Sequence, residues 1–157
     1  MSEHTLASLD STDRRLLGLL QADSSLTNQE LARQAHVSPA TCLRRVRRLV
    51  EFGVIERQVA ILSPDVLPGL TAILEVTLDV QSAEALAAFE DQVVRVAPVQ
   101  QCYRVSTGPD FVLVVHVPDM AAYHDFVHST LTAAANVRNV RSFFAVKRSK
   151  FAPAIAL

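Results

Sequence analysis

The sequence has only two cysteines, Cys42 and Cys102, spaced neither as a disulfide framework nor as a metal-ligand set. That excludes a small disulfide-stapled secreted scaffold and fits a reducing cytoplasm. Long apolar runs are also missing. Phe111 to Val115 is closed by His116, far short of the ~18 residues of a membrane-spanning helix. The opening residues Met1 to Thr5 carry no basic stretch leading into an apolar one, so no secretory signal is visible. There is no Gly-rich phosphate loop, no Gly-x-Ser-x-Gly elbow and no paired-carboxylate signature. With no catalytic constellation, the sequence reads as a protein that is not an enzyme and needs no cofactor.

What is present is apolar material for a core. Half of the 157 residues are hydrophobic and a fifth are charged, enough for one full domain or two small ones. The net charge of −1 hides a distribution. Residues 1–60 hold eight arginines against seven acids, and residues 61–157 hold seven bases against nine. From Ser38 to Val50 there are four arginines and no acid. A basic cluster on a near-neutral chain is the footprint of nucleic-acid binding, although a charge run is more commonly a solvated helix face.

Placement separates these readings. The first helix spans about Asp10 to Ala22, with Asp10 as its cap. Thr27-Asn28-Gln29-Glu30 is a capping box that opens a second helix. Ser38-Pro39 opens a third, since Ser is a favoured cap and Pro at the first helical position forfeits no needed N–H. Two short helices across a tight turn describe a helix-turn-helix, whose second helix enters the DNA major groove. On a helical wheel Cys42, Leu43, Val46, Leu49 and Val50 form one stripe expected to be buried. Thr41, Arg44 and Arg48 fall opposite it, with Arg45 and Arg47 flanking. That segregation favours DNA. Helix N-terminal residues reach base edges, which nominates Ser38, Ala40, Thr41, Arg44 and Arg45, and leaves Arg47 and Arg48 for phosphate. Gly53 suits a helix C-terminus in the left-handed region. Val54 to Leu62 reads as an extended wing or hinge strand, and Ser63-Pro64-Asp65 breaks the chain. This divides it into residues 1–62 and 63–157.

The second part alternates strands and helices. Leu70 to Val80, Val99 to Thr107, Phe111 to Val117 and Val137 to Lys150 read as strands. Ser82 to Val96 and a segment from Pro118-Asp119 through Leu131 read as helices. The order is βαββαβ, a ferredoxin-like arrangement with helices on one sheet face only. The other face needs cover, which a second copy can supply. His124 and His128 stand at i, i+4 as in a zinc motif, but with Asp125 in place of Glu and no clear third ligand, so no metal is expected. The turn Ser106-Thr107-Gly108-Pro109-Asp110 collects hydroxyls, free amides and one carboxylate. It reads either as plain hairpin chemistry or as a site for a zwitterion.

These segments together resemble the Lrp/AsnC family of bacterial and archaeal transcription regulators. Leu9-Asp10-x-x-Asp13-Arg14, Asn28-Gln29-Glu30-Leu31-Ala32 and Ser38 through Leu49 with Gly53-Val54-Ile55 are similar to its helix-turn-helix. Val105-Ser106 through Phe111, and Val117 through Met120, resemble its amino-acid-sensing (RAM) domain. The resemblance implies an α+β protein with an N-terminal winged-helix-like domain, a hinge strand and a ferredoxin-like sensor. It implies a homodimer, up to a tetramer of dimers, on a palindrome-like double-stranded DNA site in the cytoplasm, at the nucleoid. It further implies an amino-acid effector lined by Ser106, Thr107, Gly108, Pro109 and Asp110, with Ser142 joining from a neighbouring copy. The chain departs from the family pattern at Thr107, where the sensor turn usually has Gly. That keeps an effector-free DNA organiser of the same fold in view. A small metal-binding enzyme is the remaining alternative, from another class.

Overall fold

The computed structural model describes residues 9–63, 66–132 and 136–157. Pro64 and Asp65 of the expected chain break, Ala135, and the opening residues read for a signal lie outside these. The chain forms two compact units, one of residues up to Ile61 together with Phe151–Leu157, the other Leu62–Lys150.

The first unit holds α1 (Ser11–Ala22), α2 (Asn28–Ala35) and α3 (Pro39–Glu51). Each begins where its local chemistry directs. Asp10 and Asp13 form a reciprocal capping box on α1, Thr27 and Glu30 another on α2, and the Ser38 hydroxyl accepts the Thr41 amide on α3. α2 ends at His36 in the left-handed region, which turns the chain into α3 within three residues. Gly53, at φ 69°, makes the corresponding turn after α3. Leu16, Leu31, Ala32, Ala35 and Cys42 pack together, while Leu9, Leu17 and Leu49 form an adjoining cluster with Val54 and Ile55.

The buried stripe of α3 differs from the wheel reading. Cys42 and Leu49 are buried and Val46 partly so, but Leu43 and Val50 are exposed. The helix is rolled toward Arg45, which is half-buried. Val54 to Leu62 pairs with no strand among the described residues, so no wing is formed there. The segment 151–157 packs with this unit rather than with the sensor half to which the sequence reading joined it. The Gln21 side-chain amide donates to the Ile155 carbonyl (3.0 Å) and accepts the Ile155 N–H (2.6 Å).

The second unit holds β1 (Leu70–Leu78), α4 (Ala83–Val93), β2 (Val99–Arg104), β3 (Phe111–Val117), α5 (Met120–Phe126) continued by a π-helical turn (Val127–Thr132), and β4 (Val137–Phe144). The sheet order is β2-β3-β1-β4 with every neighbour antiparallel, which is the ferredoxin-like topology. β2 and β4 end earlier than the sequence reading has them, at Arg104 and Phe144, each followed by a single further backbone hydrogen bond, from the Val105 N–H to the Asp110 carbonyl (3.1 Å) and from the Ala145 N–H to the Thr71 carbonyl (2.8 Å). Alternation puts Ala72, Leu74, Val76 and Leu78 of β1, with Phe111, Leu113 and Val115 of β3, under Phe89, Val93, Tyr123 and Phe126 of the helices. Among the described residues no helix covers the opposite face. Strand pairing aligns Ile73 with Val114 and Phe143 across it, and Val112 with Tyr103. Ile73, Tyr103 and Phe143 are all exposed.

Candidate functional site

The outward face of α3 begins at its cap. The Ser38 hydroxyl donates to Thr41 Oγ1 (2.9 Å) while accepting the Thr41 amide (3.2 Å), so Ser38 is engaged and the Thr41 O–H is left to donate outward. The Asn28 side chain donates to the Pro39 carbonyl (3.0 Å), which fixes the turn between α2 and α3. Ala40, Leu43, Arg44 and Arg47 line a shallow groove along this face, with Arg48 and Glu51 at its far end. Arg44 and Arg47 are exposed, and neither pairs with an acid among the described residues.

Arg45 and Arg48 are placed differently from the sequence reading, which gave all four arginines to the exposed face. Arg45 Nη1 donates to Asp10 Oδ2 (2.7 Å) and to Asp13 Oδ1 (2.8 Å), and Arg48 Nη2 donates to Asp13 Oδ2 (2.6 Å). The Asp13 side chain is 0% exposed. A carboxylate removed from water is tolerated only when paired and hydrogen-bonded. The two guanidinium groups supply that pairing and roll α3 so that Arg45, rather than Leu43 or Val50, turns inward. The Asp13 amide, and after it the Arg45 guanidinium, hold the Asp10 carboxyl below the ordinary aspartate range. The Asp10 carboxylate, then that of Asp13, raises Arg45 still further into its charged form.

In the second unit the turn after β2 leaves Ser106, Thr107 and Gly108 exposed, with Pro109 and Asp110 half-buried. Gly108 sits at φ 90° with nothing within 4 Å of where a Cβ would be, so backbone conformation rather than space asks for glycine. Asp110 is tied to β1. Its N–H donates to the Val76 carbonyl (2.9 Å), and its Oδ2 accepts from the Leu78 amide (2.7 Å) and the Gln81 side chain (3.1 Å). The carboxylate thereby extends the β1–β3 ladder beyond its last backbone rung, a role unread in the sequence. Ser142 lies across β1 beside Leu74, hydrogen-bonded by the Tyr123 hydroxyl. Strand spacing puts it roughly 14 Å from its own turn, so the two sets do not line one site within a single chain. Burial pushes the Cys42 and Cys102 thiols up, away from the thiolate form. Among the described residues no three His, Cys, Asp or Glu side chains gather as a metal site, His124 and His128 included. Among the described residues no helix is long and apolar enough to cross a membrane.

Residues 9–50 match the model of the AsnC-type helix-turn-helix domain, and residues 71–155 match the Lrp/AsnC ligand binding domain. The chain belongs to the Lrp/AsnC family. It is a transcriptional regulator with an N-terminal DNA-binding module and a C-terminal ligand-binding module. An uncharacterised HTH-type transcriptional regulator of Haemophilus influenzae is 32% identical over 96% of this chain and 90% of its own length. The leucine-responsive regulatory protein of Escherichia coli K12 is 34% identical over 90% of this chain and 87% of its own. Among solved structures, a Neisseria meningitidis transcriptional regulator in complex with L-Met superposes with a TM-score of 0.84 at 32% identity, covering 95% of this chain and 97% of that one. An AsnC family regulator from Agrobacterium tumefaciens gives 0.84 at 35%, covering 94% and 97%.

Within this Lrp/AsnC frame the residue that sequence reasoning undervalued is Asp13. It was used only as part of the first-helix motif. The available signal was an aspartate on the inner side of α1, one turn after the cap, in a chain whose third helix has arginines three residues apart. Two cations at that spacing share a helix face and can close on one anion.

Proposed function

We propose that the chain binds double-stranded DNA as a homodimer through the outward face of α3. An amino acid at the Ser106–Asp110 turn would then alter its assembly. The observation that carries the DNA half is the exposed pair Arg44 and Arg47 beside exposed Ser38 and Ala40 and half-buried Thr41, with no acid paired to either arginine among the described residues. Arg presents a fork that reads guanine O6 and N7 or grips phosphate. The contact set is narrowed to Ser38, Ala40, Thr41, Arg44 and Arg47, because Arg45 and Arg48 already hold Asp13. Residues up to Ile61, with Phe151–Leu157 packed on them, form the DNA-binding domain and hinge, and residues Leu62–Lys150 the effector and oligomerisation domain. Two-fold pairing through the open sheet face dictates a palindrome-like site. The protein acts in the cytoplasm, on the nucleoid.

Fluorescence anisotropy tests this reading, comparing the upstream intergenic DNA of the protein's own gene with a scrambled duplex. Specific binding should be tighter by about 10³-fold or more. Arg44→Ala with Arg47→Ala should weaken specific binding by roughly 30-fold or more, from about 1–3 kcal/mol per lost contact. Unchanged affinity in the folded double variant would remove this face from the DNA reading.

For the effector, the apolar strands flanking the turn favour a hydrophobic amino acid, and Ser142 contributes from a neighbouring copy. Light scattering with and without an amino-acid panel tests it, since an effector shifts assembly only through unequal affinity for the two states. A second reading, an effector-free DNA organiser, is favoured by one observation. One oxygen of the Asp110 carboxylate, Oδ2, is already shared by the Leu78 amide and the Gln81 side chain. No mass change with any amino acid, together with equal binding to both duplexes, would select it.

A further inference from the structure

We infer that Asp13 is a positioning residue that divides the four arginines of α3 into an acid-bound pair, Arg45 and Arg48, and an acid-free, DNA-facing pair, Arg44 and Arg47. The inference rests on the DNA-binding reading of α3. Its physical basis is the fully buried Asp13 side chain, with one oxygen taken by Arg45 and the other by Arg48. Arg45 also reaches Asp10, so two cations and two anions close a neutral network. The basic cluster of the sequence is therefore halved as DNA meets it.

The geometry also shows which partner imposes the arrangement. Arg45 Nε is buried with no hydrogen-bond partner, a cost that a freely placed surface arginine would avoid by turning to water. Arg45 accepts that cost because its Nη1 is held between two carboxylates. Arg48 is only 41% exposed for the same reason, with Nη2 drawn to Asp13. Through them Asp13 sets the roll of α3, and the roll decides that Arg44 and Arg47 face outward together. The carboxylate also withholds two guanidinium groups from the sequence-independent attraction to phosphate. Discrimination between a specific site and random DNA gains, since that attraction supplies nearly all non-specific binding.

The experiment measures two quantities on the full-length protein and its variants. One is the urea midpoint. The other is the slope of log K against log salt on specific and scrambled duplexes, which changes by about 0.9 for each phosphate contact. Arg44→Gln and Arg47→Gln should each reduce the slope by about one per protomer with the urea midpoint unchanged. Arg45→Gln and Arg48→Gln should lower the urea midpoint and move the slope by less. Asp13→Asn should steepen the slope on scrambled DNA by up to about 1.8 per protomer and cut the specific-to-scrambled ratio about 10-fold or more. Asp13→Glu, which keeps the charge, should restore most of both. If Asp13→Asn fails to fold, the four arginine variants still decide. The inference is overturned if Arg45→Gln and Arg48→Gln keep the wild-type midpoint and lose as much slope as Arg44→Gln and Arg47→Gln. Absence of wild-type DNA binding would instead sink the DNA reading, while the urea midpoints would still report on the division.

Discussion

His36 holds a φ of 57° at the end of α2, in the left-handed region that costs a side-chain-bearing residue about 1–2 kcal/mol. Its side chain is exposed, and its N–H closes the helix onto the Ala32 and Arg33 carbonyls. The position serves the backbone rather than the imidazole. His36→Gly should therefore raise stability by about 0.5 kcal/mol, the relief of strain less the extra chain entropy of glycine. Urea denaturation reads this directly, and a lowered midpoint would mean that the ring makes a contact of its own. Gly108 is the converse case. At φ 90° in open space, Gly108→Ala should cost about 1 kcal/mol through the backbone alone.

Among the elements, α2 depends most on its cap, having only eight residues. Thr27 and Glu30 exchange backbone and side-chain hydrogen bonds, and the Thr27 hydroxyl, then its amide, holds the Glu30 carboxyl below its ordinary range. A lowered folded pKa gives stability that is complete above the unfolded value and is lost as pH falls through the folded one. Thr27→Ala should cost about 1 kcal/mol at neutral pH. It should also flatten the loss of stability below about pH 4.5, which denaturation curves at stepped pH would show. This cap was readable as four consecutive residues, and so were Ser38-Pro39, the alternation of β1 and the apolar run of β3. The roll of α3 was not, because the wheel counts apolar side chains, and the group that turns this helix is an aspartate in another helix. The same limit hid the tie between Asp110 and Leu78. Both are polar contacts across more than thirty residues, made by residue types that a local reading assigns to surface or turn.

At the scale of the whole molecule, the sheet that packs α4 and α5 on one side presents Ile73, Tyr103 and Phe143 on the other. Ile73→Asp would set a charge amid that face while leaving the helix-side core untouched. Sedimentation velocity should then show a monomer where the parent protein sediments as a dimer. A variant that dimerises as strongly as its parent would move the interface elsewhere. A different consequence follows from the segment at 151–157, which is made long after the helices it joins. A ribosome delivers α1, α2 and α3 first, then the entire sensor unit, and only then the piece that Gln21 grasps through Ile155. At ordinary synthesis rates that interval is roughly 5–20 s. During it the helix-turn-helix exists without the segment whose Ile155 backbone pairs with the Gln21 side chain. The order of translation thus gives the nascent chain a helix-turn-helix that stays unfinished until the sensor fold is complete.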